Sequence, residues 1–265
     1  MLNKLMKYEL RATARYFLPI YGAIIAFSIL IGIRGINDTY MSALNMILPM
    51  ALGFSFIGLG VLTLIMVVKR FDSNLLGDEG YLMFTLPVKA SSIIVSKLLT
   101  SLIWVLTSTL VFFLSMAVIT WREFNLREIL RELSFLQLNP YFILIFVLMI
   151  LMSIIQFLLQ VYASLGIAQA YSITKTRILG GTLIFILFSM VINTLETLFI
   201  AAFTFLFSDS KWFSDLFNMM ESNDFFTVMN TMQLFFTIML VYLIIKNVIF
   251  YFLTKHHLQK KLNLE

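Results

Sequence analysis

The sequence predicts an all-α membrane protein: six transmembrane helices, an N-terminal interfacial amphipathic helix and one more short helix on the cytoplasmic face. Three observations predict it. Of 265 residues, 60% are hydrophobic and only 12% charged, against about 45–50% and 25% in a soluble domain. The apolar residues gather into six runs, each long enough for the roughly 20 residues that cross ~30 Å of hydrocarbon. Short segments separate the runs and leave nothing large outside, so residues 1–265 read as a single transmembrane domain. The chain has no cysteine, which excludes disulfides, iron–sulfur clusters and thiol catalysis, and the adjacent His256 and His257 do not make a buried metal site. The net charge of +5 points to a bilayer and not to nucleic acid, because the basic residues flank apolar runs.

The first span covers 16–33. Its apolar stretch exceeds the ~7–15-residue core of a secretory signal and no small-residue cleavage site follows it, so it is retained. The second covers 41–68 and the third 92–120, with the polar segment 69–91 between them. The fourth, 141–171, is long enough to tilt. A break at Thr174-Lys175-Thr176-Arg177 separates it from the fifth, 178–207, and the sixth runs over 232–253. One side of the membrane then holds fourteen lysines and arginines: the N-terminus, segment 69–91 with Lys97, the break at 175–177, and the C-terminal end with Lys246. The other side holds five: Arg34, Arg122, Arg127, Arg131 and Lys211. The excess puts both termini in the cytoplasm.

Within 1–15, Lys4, Lys7, Arg11 and Arg15 fall on an arc of about 80° at 100° per residue, with Leu2, Leu5, Met6 and Leu10 on the other side. This is an interfacial helix with a cationic edge toward anionic headgroups. Glu9 interrupts its apolar face and requires either a basic partner or a protein neighbour. The outer loop 121–140 repeats Arg-Glu pairs along an apolar side containing Trp121, Phe124 and Leu133, which fits a short surface helix opened by Asn125. The outer loop 208–230 holds Trp212, Phe213, Leu216, Phe217, Met219, Met220, Phe225 and Phe226. It is too apolar for an open connection and is expected to dip back toward the bilayer between helices, where protein covers its backbone.

Segment 69–91 carries a compact apolar block, Tyr81-Leu82-Met83-Phe84, between Asp78-Glu79 and Thr85-Leu86-Pro87. Acids before a helix start and proline at its end give one to two turns of helix. An apolar patch of this kind either packs on the bilayer interface or meets a partner. The run from Asp78-Glu79-Gly80 through Leu82 and Thr85-Leu86-Pro87-Val88 to Lys97 resembles the signature of type-two ABC transporter permeases, and the six-span arrangement is similar over the whole chain. The resemblance implies that Asp78, Glu79, Tyr81, Leu82, Phe84 and Pro87 form a coupling helix docked on a separate cytoplasmic ATPase. Lys97 would be a basic post at the entrance to span three, and the N-terminal helix would lie at the same interface. It also implies pairing with a second permease, as a homodimer or heterodimer, in a bacterial cell membrane, and substrates that are lipophilic or amphiphilic.

The chain holds no Gly-x-x-x-x-Gly-Lys-Ser/Thr, so it lacks a phosphate cradle of its own. ATP and Mg therefore belong to the partner chain, and no cofactor is expected on this one. In the fifth span Ser189, Asn193 and Glu196 share a helix face, as do Ser153, Gln156, Gln160 and Ser164 in the fourth. The two stripes either pack on each other or line a substrate route, the residues that matter being Gln156, Gln160, Asn193 and Glu196. A proton-coupled secondary carrier using Glu196 is the alternative mechanism. A membrane enzyme ranks last, since no catalytic cluster is present. Small residues of span two, among them Gly53, Gly58 and Gly60, read as a surface for close helix packing.

Overall fold

The computed structural model describes residues 2–34, 43–72, 90–121, 140–171, 177–221 and 224–260. Among them the chain is almost entirely helical, with no strand. The helices are α1 (Leu2–Arg34), α2 (Ala43–Phe71), α3 (Ala90–Ile119), α4 (Pro140–Ala170), α5 (Arg177–Phe207), α6 (Lys211–Met220) and α7 (Phe225–Lys260). Six of them, all but α6, are long and apolar enough to cross a membrane. The chain divides into two compact units, Met1–Gln137 and Leu138–Glu265.

In the first unit α1 packs against both α2 and α3. Residues pair along α1 and α3 at a nearly constant offset. Glu9 meets Lys97, Tyr21 reaches Ser108 at 2.9 Å, Ser28 bonds Ser115 at 2.6 Å, and the Trp121 Nε1 donates to the Gly32 carbonyl at 3.1 Å. Equal increments on both helices mean that α1 and α3 run parallel. Arg70 at the end of α2 approaches Glu9 near the start of α1, while Phe56 packs on Phe112, so α2 runs the other way. This is the alternation expected of three consecutive spans. The core is Phe17, Tyr21, Ile24, Leu52, Leu59 and Val111, with Trp104 stacked on Phe17 at 4.3 Å.

The parallel contact needs Gly32. A Cβ built there would lie 2.5 Å from the Val118 carbonyl oxygen, a backbone atom that cannot move aside cheaply. Among the described residues, Gly53, Gly58 and Gly60 have nothing within 4 Å of a built Cβ, so the close packing expected on span two is not seen there at these positions. Gly32→Ala is therefore expected to cost about 1–3 kcal/mol by overpacking. Gly58→Ala should be neutral or stabilising by up to about 1 kcal/mol through helix propensity. Thermal unfolding of the two variants in the same detergent checks the contrast.

In the second unit α4 is shared by α5 and α7. Gln160 meets Ser189 and Leu165 lies against Gly181, so α4 and α5 are antiparallel. Phe146 packs near Phe236, Asn247 bonds the Met152 carbonyl and His257 touches Gly166, so α4 and α7 are parallel. Asp224 starts α7 as its N-cap, accepting from the Thr227 hydroxyl and, at 3.1 Å, from its amide. Those donors hold its carboxyl below the ordinary value of 3.8. A depressed carboxyl contributes stability above its unfolded value and loses it as the pH falls through the folded one. Protection of the Thr227 and Val228 amides, relative to intrinsic exchange, should thus fall below about pH 4, and Asp224→Ala should remove that dependence.

Two elements differ from expectation. Residues 1–15 are not a separate interfacial helix: α1 continues unbroken from Leu2 to Arg34, carrying Pro19 inside it. Within 208–230, expected as a connection that dips back between helices, residues 211–220 form α6 and 225–230 the first turn and a half of α7.

Candidate functional site

At the end of the first unit three charged side chains meet. Glu9 and Lys97 are 8% and 3% exposed. The Lys97 Nζ donates to Glu9 Oε1, and Arg70 Nη1 stands 3.8 Å from Glu9 Oε2. Geometry explains the burial: Glu9 sits on the stripe of α1 that continues through Thr13 and Phe17, one or two turns apart and all turned into the unit. Trp104 Nε1 donates to Thr13 Oγ1 at 2.7 Å, and Thr13 in turn donates to the Glu9 carbonyl at 2.8 Å. Glu9, Thr13, Arg70, Lys97, Thr100 and Ser101 line a small cleft floored by Phe17 and Trp104.

This settles both options left open for Glu9, which has basic partners and faces protein. Lys7, Arg11 and Arg15 remain exposed, and Arg15 donates to the Tyr16 hydroxyl at 2.8 Å. Lys4 lies in α1 with its side chain outside the described set. The cationic edge of the amphipathic pattern is thus retained, but the opposite face is docked on α3. Lys97, carried over as a basic post, is placed beside Glu9. Asp78, Glu79, Tyr81, Leu82, Phe84 and Pro87 lie outside the described residues, as does 122–139 of the segment expected as an outer loop. What is described is the frame around 73–89: Arg70 close before it and Lys97 two turns into α3 after it, both held at one carboxylate.

The second unit holds a polar layer deep in its spans. Glu196 lies about 16 Å along α5 from Phe207 at 1.5 Å per residue, close to half of a ~30 Å hydrocarbon core. Its Oε1 accepts from Lys246 Nζ at 2.7 Å and from the Tyr242 hydroxyl, and the Lys246 ammonium also lies 5.1 Å from the Tyr242 ring centre. On the α4 side Gln160 Nε2 donates to Ser189 Oγ at 2.8 Å. Asn247 Nδ2 donates to the Met152 carbonyl at 3.0 Å, while its own buried Oδ1 has no partner within the described structure. The two predicted stripes therefore touch at Gln160 and Ser189. Gln156 is half-buried, Asn193 is exposed, and Glu196 turns to α7 instead.

Lys246 corrects the sequence reading twice. It was counted with the cations of the C-terminal end but lies inside α7, fourteen residues before its end. Glu196, in turn, is not a lone carboxylate. The signal was present, since a lysine inside an apolar run asks for an acid within the membrane; the orientation count absorbed it. Arg70 was missed for a different reason, because it sits where span-flanking cations are ordinary.

The six long apolar helices mark a multi-pass membrane protein. Compared with known proteins, the chain matches no family model, no curated protein and no solved structure.

Proposed function

We propose that the chain is the membrane-spanning subunit of an ATP-driven exporter of the type-two ABC class, coupled to a separate cytoplasmic ATPase that binds the ATP and Mg. It works as a pair of permeases in a bacterial cell membrane, both termini in the cytoplasm, and drives efflux of an amphiphilic or lipophilic substrate. The supporting observation is the Glu9, Arg70 and Lys97 cluster. It ties the start of α1 to both flanks of 73–89, the segment that carries the motif resemblance. A displacement of that segment by an ATPase then has a stiff route into α1, α2 and α3, since packed helices move as bodies. The proton-coupled carrier ranks second, because Glu196 is committed to Lys246 and Tyr242.

The test is association. Tagged full-length chain purified from its native membranes should carry a protein with a phosphate-cradle motif in fixed ratio. Leu82→Ala with Phe84→Ala should release that protein while the chain stays folded in the membrane. Association and ATP turnover left unchanged by the double variant would overturn the assignment.

A further inference from the structure

One face of α1 turns away from the first unit. Lys7, Arg11 and Arg15 are exposed and stacked at successive turns, on the side of the helix opposite Glu9. Like charges at i, i+4 repel, and among the described residues no carboxylate pairs with any of the three. On the docked face, by contrast, Lys97 and Arg70 share Glu9. Three stacked cations without an acid call for an anion from outside the unit.

Their depth follows from the helix itself. Between Arg15 and Arg34 α1 carries no charge, a stretch of about 28 Å at 1.5 Å per residue, which matches a ~30 Å hydrocarbon core. Exposed aromatic residues with a polar tip mark both edges. Trp121 donates to the Gly32 carbonyl at one, and Tyr16 stands at the other. Arg15 is held there, since its guanidinium donates to the Tyr16 hydroxyl at 2.8 Å and lies 4.7 Å from the ring centre. Pro19 lies one turn further on and supplies no amide to the Arg15 carbonyl, a loss that costs least where headgroup water reaches. Arg15 therefore stands at the hydrocarbon edge, with Arg11 about 6 Å and Lys7 about 12 Å beyond it. The headgroup layer is roughly 5–8 Å deep on each side, so it contains the two arginines and ends short of Lys7.

On the hydrocarbon side of Arg15 the same arc of about 80° continues as Leu18, Gly22, Ile25, Ile29 and Ile33, all exposed. Nothing described lies within 4 Å of a Cβ built on Gly22, which leaves a notch in the apolar track. Cations at headgroup depth over a notched apolar track match the profile of one lipid standing beside the helix.

We propose that this face of α1 holds an anionic phospholipid of the leaflet at its N-terminal end, with the phosphate between Arg11 and Arg15 and an acyl chain along Leu18 and Gly22. Arginine suits the role because its fork bonds two phosphate oxygens at once. Lys7 stands above the phosphate and contributes less, whereas an α1 lying in the membrane plane would bring all three cations to one depth. The site does not rest on the ATPase assignment.

The full chain is reconstituted in phosphatidylcholine with a minority of phosphatidylglycerol, and the lipid it retains in detergent is counted by native mass spectrometry. Phosphatidylglycerol should be retained in preference. Arg11→Gln with Arg15→Gln should lower its occupancy by roughly fivefold for each cation lost, and Lys7→Gln should lower it by less than either. Soluble glycerol phosphate should not displace it. Occupancy unchanged in the double variant, an equal loss with Lys7→Gln alone, or displacement by glycerol phosphate overturns the proposal. Because the chain has no cysteine, Leu18→Cys tests whether protein covers the face instead. Oxidation in the membrane should leave it monomeric, and a disulfide-linked pair of chains overturns the proposal. Should the double variant not fold, Leu18→Trp keeps every cation and reports the same site. Phosphatidylglycerol brominated on its acyl chains should quench it more strongly than brominated phosphatidylcholine, and equal quenching overturns the proposal.

Discussion

Glu9→Gln is expected to destabilise the first unit by about 3–5 kcal/mol, the usual result of removing one partner from a buried ion pair. The magnitude comes from what is left behind. Lys97 is 3% exposed, and without Glu9 it remains in a confined cleft with Arg70, a like charge, nearby. Lys97→Met should cost less, because Arg70 still stands 3.8 Å from the carboxylate. Arg70→Gln should cost least, since that side chain is 24% exposed and the closer Lys97 contact survives. Combining Glu9→Gln with Lys97→Met should recover part of the loss, because the buried ammonium is removed together with the carboxylate it faces. Lys7→Gln, at an exposed site, should stay within about 0.5 kcal/mol. Heat or denaturant unfolding in detergent, followed by the fluorescence of Trp104 on the floor of the same cleft, gives the order. Equal effects at Lys7 and Glu9 would show that the cluster is incidental to stability, and the proposed stiff route from 73–89 into the helices would lose its support.

The spans were legible because hydrocarbon thickness imposes a long apolar run, and no other solvent asks for one. Their alternation was legible for the same reason, and the parallel register of α1 with α3 and of α4 with α7 follows from it. Helix starts were less legible where charge interrupts hydropathy. Lys4, Lys7, Arg11 and Arg15 made 1–15 look like a separate surface element, and only the partner of Glu9, eighty-eight residues away, shows why the helix runs on. In α6 the difficulty was different. Its apolar residues were visible, but whether they cover a backbone or form an amphipathic helix depends on how the chain turns after α5. The glycines illustrate the limit most plainly. Gly32 and Gly58 look alike in an apolar run, yet one meets a carbonyl oxygen and the other meets open space.

The second large effect concerns the pair inside the second unit. Glu196→Ala should leave Lys246 inside α7 without its acid, at a cost of about 2.5–3.5 kcal/mol for a cation near the centre of a span. Lys246→Met should cost somewhat less, because the Tyr242 hydroxyl still donates to Glu196. The exchange Glu196→Lys with Lys246→Glu separates two roles that the single variants confound. If the pair only holds α5 to α7, the exchange restores folded protein in the membrane, and function with it. If Glu196 and Tyr242 form a surface that a substrate meets, the exchange restores folding but not transport, because the acid moves from α5 to α7 and away from Asn193 and Ser189. Folded yield by gel filtration and transport by the reconstituted complex are the two readouts. Should the exchange fail to restore even the folded yield, the interaction depends on the tyrosine and the surrounding polar layer as much as on charge. Asn247, whose buried oxygen has no partner among the described residues, would then be the next residue to replace, with leucine expected to relieve its desolvation and aspartate to worsen it.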